Sequence, residues 1–237
     1  MIAENVKNIR RRIEEACARS GRSAKDVTLV AVAKTFSGSL IREAVAAGVS
    51  DIGENFVQEL VRKREELAEN SIRWHFVGHL QTNKTKYIAA WIHLIQSVDS
   101  GYLGKEIAKH AVRAGRKADV LVEVNTSGER SKFGVKPEGT ESLVGELSGL
   151  DSLRVVGLMT IGPLPAREVP DPESSRPAFR TLRELRDAIR QRGAALPHLS
   201  MGMTNDFEVA IEEGATIVRI GTAIFGKRAK SPADVNN

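Results

Sequence analysis

The chain has 237 residues, of which 41% are hydrophobic, 27% charged and 5% aromatic. Its 35 lysines and arginines exceed its 30 acidic residues by a net charge of only +5, which excludes a highly charged disordered chain. Aromatic side chains are too few to serve as base-stacking platforms, so nucleic acid is a poor candidate partner and a small anion remains open. A chain of this length buries the core of one large domain, which we expect over residues 1–230, with a frayed tail over 231–237.

The single cysteine, Cys17, excludes an internal disulfide and a cysteine-based zinc site, so we expect a reducing compartment. No apolar stretch reaches the roughly 20 residues that span a bilayer, and the N-terminus lacks the pattern of a signal peptide. Residues 2–20 instead show helical spacing, and we expect this helix to pack on the domain through Ile2, Val6, Ile9, Ile13 and Cys17. These features predict a cytoplasmic protein with no membrane contact.

Eight short runs rich in apolar and β-branched residues alternate with longer segments of helical spacing. Several of the short runs are continuously apolar, which is typical of parallel strands that are buried on both faces. The predicted strands cover residues 27–33, 49–52, 73–77, 93–98, 119–125, 154–159, 198–201 and 216–220. Helical spacing between the strands is shown by Phe56, Leu60, Arg64 and Leu67; by Leu103, Ile107, Ala111 and Ala114; by Phe179, Leu182, Leu185 and Ile189; and by Phe207, Ala210 and Ile211.

This alternation predicts right-handed crossovers and an α/β fold. Eight such units in a chain of this length predict a (β/α)₈ TIM barrel, which usually has about 250 residues. An open doubly wound sheet is the alternative, but residues 33–36 (AKTF) follow the first strand where that fold carries a glycine-rich loop. Residues 162–177 contain five prolines and predict a long loop, followed by a solvated outer helix over 176–192.

In such a barrel the functional site lies at the carboxyl ends of the strands. Polar residues collect at these predicted ends, which favours a ligand site: Lys34, Glu54, Asn55, His79, Gln81, Asp99, Asn125, Thr160, Thr204 and Thr222. Lys34 ends an almost wholly apolar strand, and partial desolvation of an amine there favours the neutral form that reacts with carbonyls. Taken alone, however, Lys34 is better explained as a lysine whose stem covers the strand end while its ammonium reaches water.

The last two strand ends predict an anion site. Thr204 or Asn205 is the expected N-cap of the helical run that starts at Phe207. Gly221 allows close approach of the backbone to an anion, and Thr222 adds a hydroxyl at the start of a second short helix. The loops after strands seven and eight are the recurrent phosphate site of these barrels. Ordinary capping explains each helix start separately, but not their placement together.

Arg219 lies two residues before Gly221 and points to the same side of its strand. An arginine inside a barrel needs a partner, which is either a carboxylate such as Glu54 or Glu123 or a bound ring nitrogen or phosphate. Chemistry alone leaves both open. Lys132 either reaches the ligand site at the carboxyl ends of the strands, which we call the mouth of the barrel, or lies solvated in its loop.

The five histidines are scattered without the spacing of a zinc helix, so we expect no metal site. His75 lies in the middle of a predicted strand and is expected to be a core histidine. No Ser-His-Asp arrangement is indicated.

Motifs in order along the chain carry a specific resemblance. They are residues 33–35 (AKT), 53–55 (GEN), 58–59 (QE), 74–78 (WHFVG), 80–84 (LQTNK), 131–134 (SKFG), 157–159 (GLM), 199–204 (LSMGMT) and 218–226 (VRIGTAIFG). From about residue 27 to residue 226, the chain closely resembles the pyridoxal 5′-phosphate homeostasis proteins, also called the proline synthetase co-transcribed homologue family.

This resemblance implies the barrel of the alanine racemase N-terminal domain, called fold type III, with pyridoxal 5′-phosphate (PLP) held as a Schiff base on Lys34. By motif position, Arg219 faces the pyridine nitrogen and Asn55 lies near the cofactor. The residues expected to bind the phosphate are Thr204, Gly221 and Thr222. Thr204 stands where members usually have serine, and it keeps the hydroxyl.

The resemblance also implies a carrier and regulator of intracellular PLP (vitamin B6) and of amino/keto-acid balance, without catalytic turnover. An arginine beside the pyridine nitrogen weakens the ring as an electron sink. Racemases on this fold add an acid/base residue from a second domain, and we expect none in a chain that ends soon after its eighth strand. We expect a monomer, with PLP-dependent apo-enzymes as candidate recipients.

Two alternatives remain. One is a PLP-dependent amino-acid racemase or lyase that uses the same lysine. The other is a cofactor-free Schiff-base aldolase or phosphosugar isomerase that uses Lys34 and the phosphate site directly.

Overall fold

The computed structural model describes residues 1–67, 71–163 and 171–226. Eight parallel strands form a closed barrel in chain order, and pairing of the first strand with the eighth closes it. The strands are β1 (Thr28–Val32), β2 (Asp51–Glu54), β3 (Arg73–Phe76), β4 (Leu94–Val98), β5 (Ala118–Glu123), β6 (Leu153–Met159), β7 (His198–Ser200) and β8 (Ile217–Ile220). The predicted (β/α)₈ barrel is confirmed, and the open sheet is excluded because a closed barrel leaves no edge strand.

Helices cover the outside of the barrel. They are α1 (Ile2–Arg19), α2 (Gly38–Ala46), α3 (Val57–Leu67), α4 (Gly101–Arg113), α5 (Thr140–Ser148), α6 (Arg176–Gln191), α7 (Phe207–Glu212) and α8 (Thr222–Phe225). A 3₁₀ turn, Thr82–Tyr87, stands between β3 and β4 in place of an α-helix. No helix in the described ranges is long and apolar enough to cross a membrane.

The N-terminal helix α1 packs through the face that the sequence predicts. Ile2, Val6, Ile9, Ile13 and Cys17 are all buried. Two polar contacts hold the helix against α7 and α8. The Asn5 side-chain amide donates to the Ile224 carbonyl at 2.8 Å, and Arg12 donates to both carboxylate oxygens of Glu208 at 2.9 Å. The helix therefore joins the outer core that lies between the strands and the surrounding helices.

The inside of the barrel has a small apolar core of its own. Val30, Leu94, Leu121, Met159 and Ile217 form a cluster separate from the outer one. Side chains alternate along each strand, so every second residue points into the barrel. Several strands carry a buried polar side chain at such an inward position.

Several predicted strand ends differ from the observed ones by one or two residues, among them both ends of β2. β2 starts at residue 51 rather than 49, because Val49 is buried in the turn after α2, where its amide donates to the Ala44 carbonyl at 3.0 Å. The predicted loop 162–177 ends early, because Pro172 opens a 3₁₀ turn and Pro177 lies in the first turn of α6, where a missing amide proton costs nothing. Residues 164–170 of that loop, and the predicted tail 231–237, lie outside the described residues.

The buried face of α3 also differs from the expected one. Phe56 precedes the helix and is 53% exposed, and Arg64 lies 4.2 Å above the Trp91 ring as a cation–π contact. Between Leu60 and Leu67, the buried face includes the fully buried Lys63 in place of the expected Arg64. Apolar spacing does not reveal a buried lysine, because it does not show that the charge is compensated by Glu59 on the same helix and by Glu54 at the end of β2.

Candidate functional site

Lys34 follows β1, and the predicted anion-binding residues Gly221 and Thr222 follow β8, the strand that closes the barrel against β1. The two strands pair directly, with Val30 opposite Arg219 and Ala31 opposite Ile220. Lys34 follows β1 and is half-buried. The next residue, Thr35, has φ of 69° and is the sole non-glycine residue with positive φ in the part of the chain that the structure describes. A β-branched residue in that conformation is strained, so the surrounding contacts must hold the turn.

Those contacts come from Lys63, whose side chain is 1% exposed. Its ammonium donates to the Ala33 carbonyl at 2.8 Å, to Glu54 at 2.6 Å and to Glu59 at 3.0 Å. Glu59 in turn accepts the Thr35 amide at 2.9 Å. Burial raises the pKa of Glu54 to about 7, although the charge of Lys63 opposes this. Sequence analysis missed Lys63; its place in a stripe with Leu60 and Leu67, four residues after Glu59, is the signal that could have indicated a buried ion pair.

Asn55, in the loop after β2, carries a buried side-chain oxygen with no hydrogen-bond partner among the described residues. Gly78 packs against the backbone of Asn55 so closely that a Cβ at residue 78 would lie 2.3 Å from the Asn55 carbonyl oxygen. An orphaned buried acceptor is costly unless a ligand satisfies it. Asn55 is therefore suited to contact a polar group bound at the mouth.

The loops after β7 and β8 meet through two hydroxyls. The Thr222 hydroxyl donates to that of Thr204 at 3.2 Å. The Ile224 and Phe225 amides both donate to the Gly221 carbonyl, which leaves the amides of Thr222 and Ala223 as the donors without intrahelical acceptors at the start of α8. Hydroxyls and amides together suit an anion.

The predicted cap of α7 is wrong: the N-cap is Asp206, not Thr204 or Asn205. One carboxylate oxygen of Asp206 accepts the Met203 amide at 2.7 Å, and the other accepts the Ser175 hydroxyl at 2.8 Å. The Asp206 carboxylate accepts no hydrogen bond from the first amides of α7 and binds residues that precede the helix. The Thr204 hydroxyl lies against that of Thr222.

Arg219 is 4% exposed and points into the barrel from β8. It donates to the Ser200 hydroxyl at 2.5 Å and to the Thr160 carbonyl at 2.8 Å. Burial lowers the pKa of Arg219 to about 10, opposed by the charge of Glu123, so the guanidinium stays cationic at neutral pH. Of the two carboxylates considered above, Glu54 binds Lys63 instead, and Glu123 acts on Arg219 through space.

A cavity of about 270 Å³ opens at the end of β5, lined in part by Glu123, Lys132 and Phe133. Burial and the nearby charge of Asp99, opposed by the charge of Arg219, together raise the pKa of Glu123 to about 7. Lys132 lies at the mouth rather than in solvent: its side chain is 13% exposed, and it donates to Glu129 at 2.7 Å and to the Gly162 carbonyl at 2.6 Å. The cavity thus combines a titratable carboxyl with a fixed ammonium.

The opposite end of the barrel is different in character. A larger cavity of about 640 Å³ lies there, but its lining residues Asp119 and Arg154 form an ion pair at 2.6 Å. Asp51, His75 and His93 have ligand-type atoms within 4.8 Å of one another. The Asp51 carboxylate already binds both Arg73 and His75, at 2.6 and 2.9 Å, and this ion pair competes with any metal ion. We therefore assign the functional site to the mouth.

Comparison with known proteins shows the family to which the chain belongs. The model of the family "Alanine racemase, N-terminal domain" matches residues 2–229. A curated relative, the pyridoxal phosphate homeostasis protein of Aquifex aeolicus, is 48% identical over 226 residues, which cover 95% of this chain and 97% of the relative.

Two solved structures have folds similar to that of this chain. PipY of Synechococcus elongatus with PLP bound is similar with a TM-score of 0.83 at 32% identity, covering 95% of this chain and 100% of that chain. An alanine racemase of Clostridium difficile 630 has a TM-score of 0.73 at 15% identity, covering 97% of this chain and 57% of that chain. The similarity to the racemase shows a common fold alone.

Proposed function

We propose, from the premise that this chain belongs to the family of pyridoxal phosphate homeostasis proteins, that it binds PLP at the mouth of the barrel as a Schiff base on Lys34. The observation that carries the proposal is the direct pairing of β1 with β8. This pairing brings the amine that follows β1 beside the hydroxyls and amides that follow β8. An amine next to an anion site is what a phosphorylated aldehyde requires.

Each residue at the mouth has a defined part in this proposal. When bound, PLP supplies an aldehyde that condenses with an amine and releases water. Lys34 provides the amine, held by the turn that Lys63 supports. The hydroxyls of Thr204 and Thr222 and the backbone near Gly221 bind the phosphate. Asn55 and Arg219 contact the ring, Arg219 at its nitrogen.

Arg219 favours a carrier over an enzyme. A buried guanidinium that stays cationic donates hydrogen bonds to the ring nitrogen and disfavours its protonation, so the ring is a weaker electron sink. We therefore propose that the protein maintains intracellular PLP and amino/keto-acid balance without catalytic turnover. The single cysteine, which is buried, supports a reducing compartment such as the cytoplasm.

We propose PLP-dependent apo-enzymes as recipients of the cofactor and a monomeric state for the carrier. Exposed apolar side chains near the mouth, Phe56, Phe133 and Met203, give a recipient a surface to contact. Light scattering of the loaded protein measures its oligomeric state directly.

The test is a titration of purified protein with PLP. We expect an absorbance band of the Schiff base, and borohydride reduction should fix the cofactor on the peptide that contains Lys34. In Lys34→Ala both signals should vanish. A protein that takes up no PLP would contradict the proposal and leave the cofactor-free aldolase or isomerase; an unchanged band in Lys34→Ala would assign the attachment elsewhere.

The alternative function is a PLP-dependent racemase or lyase acting through Lys34. Glu123 favours it, because a carboxyl with a pKa of about 7 exchanges protons readily at neutral pH. Exchange of the α-proton of an amino acid in deuterated water measures this activity. We would conclude that the protein is an enzyme if exchange is faster than with free PLP alone and this excess is lost in both Lys34→Ala and Glu123→Gln.

A further inference from the structure

A chain of buried hydrogen bonds runs through the inside of the barrel behind the proposed cofactor site. Arg219 donates to the Ser200 hydroxyl at 2.5 Å, and that hydroxyl donates to the Gln96 side-chain oxygen at 2.6 Å. The Gln96 nitrogen lies 3.0 Å from His75 Nδ1, and His75 Nε2 lies 2.9 Å from the Asp51 carboxylate. All five side chains are buried. The chain therefore links residues on five different strands.

The hydrogen bonds in this chain all point the same way. A guanidinium only donates, so the Ser200 oxygen accepts from Arg219, and the Ser200 hydroxyl donates to the Gln96 oxygen. The Gln96 amide group then faces His75, whose Nδ1 accepts and whose Nε2–H donates to Asp51. Each link thus pairs one donor with one acceptor, from the cation at one end to the anion at the other.

The far end of the chain is firmly anchored. Asp51 accepts from Arg73 at 2.8 and 2.6 Å and from the Ser50 hydroxyl at 2.8 Å. Burial acts to raise the pKa of Asp51, but the hydrogen bonds from His75 and Arg73 outweigh it and hold the pKa far below the usual range. Asp51 is thus ionised at neutral pH and fixes the Nε2–H form of His75.

A protonated His75 would disturb this order. With N–H groups on both ring nitrogens, it would require the Gln96 amide to turn around. The Ser200 oxygen would then accept from both Gln96 and Arg219, and the Ser200 hydroxyl would lose the Gln96 oxygen as its acceptor. The Nε2–H form of His75 keeps every hydrogen bond of the observed order.

We propose that Gln96 is a positioning residue of the cofactor site: held by His75, it orients the Ser200 hydroxyl and thereby fixes the guanidinium of Arg219 opposite the cofactor ring. The inference rests on the proposed function, since Arg219 acts there through its contact with the ring nitrogen. Gln96 itself lies behind Ser200 and acts through Arg219.

The matched control is Ser97, the next residue of β4. Ser97 is also fully buried, and its hydroxyl has no hydrogen-bond partner in the described part of the chain. It makes no hydrogen bond to any of the five linked side chains, and it lies in the part of β4 where the register shifts between Ile95 and Val98. Ser97→Ala therefore changes the same strand without removing any hydrogen bond between Arg219 and Asp51.

The test compares Gln96→Leu, Gln96→Glu and Ser97→Ala. We expect Gln96→Leu to bind PLP about tenfold more weakly, the effect of a lost buried hydrogen bond, and to shift the Schiff-base absorbance band. Gln96→Glu keeps the acceptor for Ser200 and should lie nearer to the wild type. Ser97→Ala should match the wild type in both measurements. A Gln96→Leu protein indistinguishable from Ser97→Ala would overturn the proposal.

A second measurement uses the protein without cofactor. The ¹⁵N shifts of the His75 ring should report a protonated Nε2 and an unprotonated Nδ1 in the wild type, and two protonated nitrogens in Gln96→Glu. A protonated Nδ1 in the wild type overturns the proposal even if Gln96→Leu does not fold. Failure of the wild type to take up PLP would instead contradict the proposed function, and the His75 result would still stand.

Discussion

The proposed anion site depends, at the scale of single residues, on the hydroxyls of Thr204 and Thr222. They come from loops after neighbouring strands and lie 3.2 Å apart. Thr222 is exposed, so its hydroxyl contributes little to folding and is available to a ligand. At Thr204 the added methyl relative to serine leaves the donor in place.

At the residue scale we expect Thr222→Val to weaken PLP binding by roughly tenfold to a hundredfold, because a hydrogen bond to a charged group contributes about 1.5–3 kcal/mol. Stability should change little. Thr204→Ser, which keeps its hydroxyl, is the control and should bind as the wild type does. Equilibrium titration followed by absorbance measures both. Equal affinity of Thr222→Val and wild type would remove Thr222 from the phosphate site.

The elements β1, β2 and α3 are joined at their ends by the Lys63 ammonium. It binds the last carbonyl before Lys34 and two carboxylates, so one buried cation supports the strained turn at Thr35. Breaking a buried ion pair by removing one partner is costly, because the other charge stays buried.

At this scale we expect Lys63→Met to lose about 3–5 kcal/mol of unfolding free energy at pH 8, because Glu54 must then either stay ionised without its partner or take up a proton from a basic solution. Burial already raises the pKa of Glu54 from 4.5 to about 7. A raised pKa in the folded state stabilises the fold below pH 4.5 and loses that contribution as the pH rises through about 7. The loss in Lys63→Met should therefore be smaller at pH 5.

Denaturant unfolding at the two pH values measures this difference. The double variant Lys63→Met with Glu54→Gln is the control, and it should recover part of the stability at pH 8 because no carboxylate remains buried without its partner. A loss in Lys63→Met that is the same at both pH values would show that Glu54 does not carry the effect.

In the whole molecule the two ends of the barrel have different tasks. The base is closed by ion pairs such as Arg73 with Asp51 and Arg154 with Asp119, each 2.6 Å long. The mouth instead contains the Asn55 side-chain oxygen, which has no hydrogen-bond partner among the described residues, and Glu123, whose carboxyl has a pKa of about 7. Polar groups are satisfied internally at one end and left for a ligand at the other.

A ligand that binds only the folded state stabilises the whole barrel. At a PLP concentration 100 times the dissociation constant, we expect about 2.7 kcal/mol of added stability and a Tm increase of roughly 5–10 °C. Calorimetry with and without PLP measures the shift. Lys34→Ala should lose most of it at the same PLP concentration, and a shift of equal size in that variant would indicate that PLP stabilises the protein from another site.

The sequence by itself determined the fold class, the eight strands, the face of α1 and the position of Lys34 at the end of β1. These features depend on local periodicity, which contiguous residues record. The ordered motifs also predicted the family before any geometry was known.

Only the tertiary structure decided which distant side chains meet. Ser200 and Gln96 are 104 positions apart, and their bond exists because strand alternation and barrel closure turn both residues inward. The same holds for Lys63 and the Ala33 carbonyl, and for the hydroxyls of Thr204 and Thr222. Pattern along a chain specifies which face a residue occupies, whereas its partner depends on how separate elements pack in space.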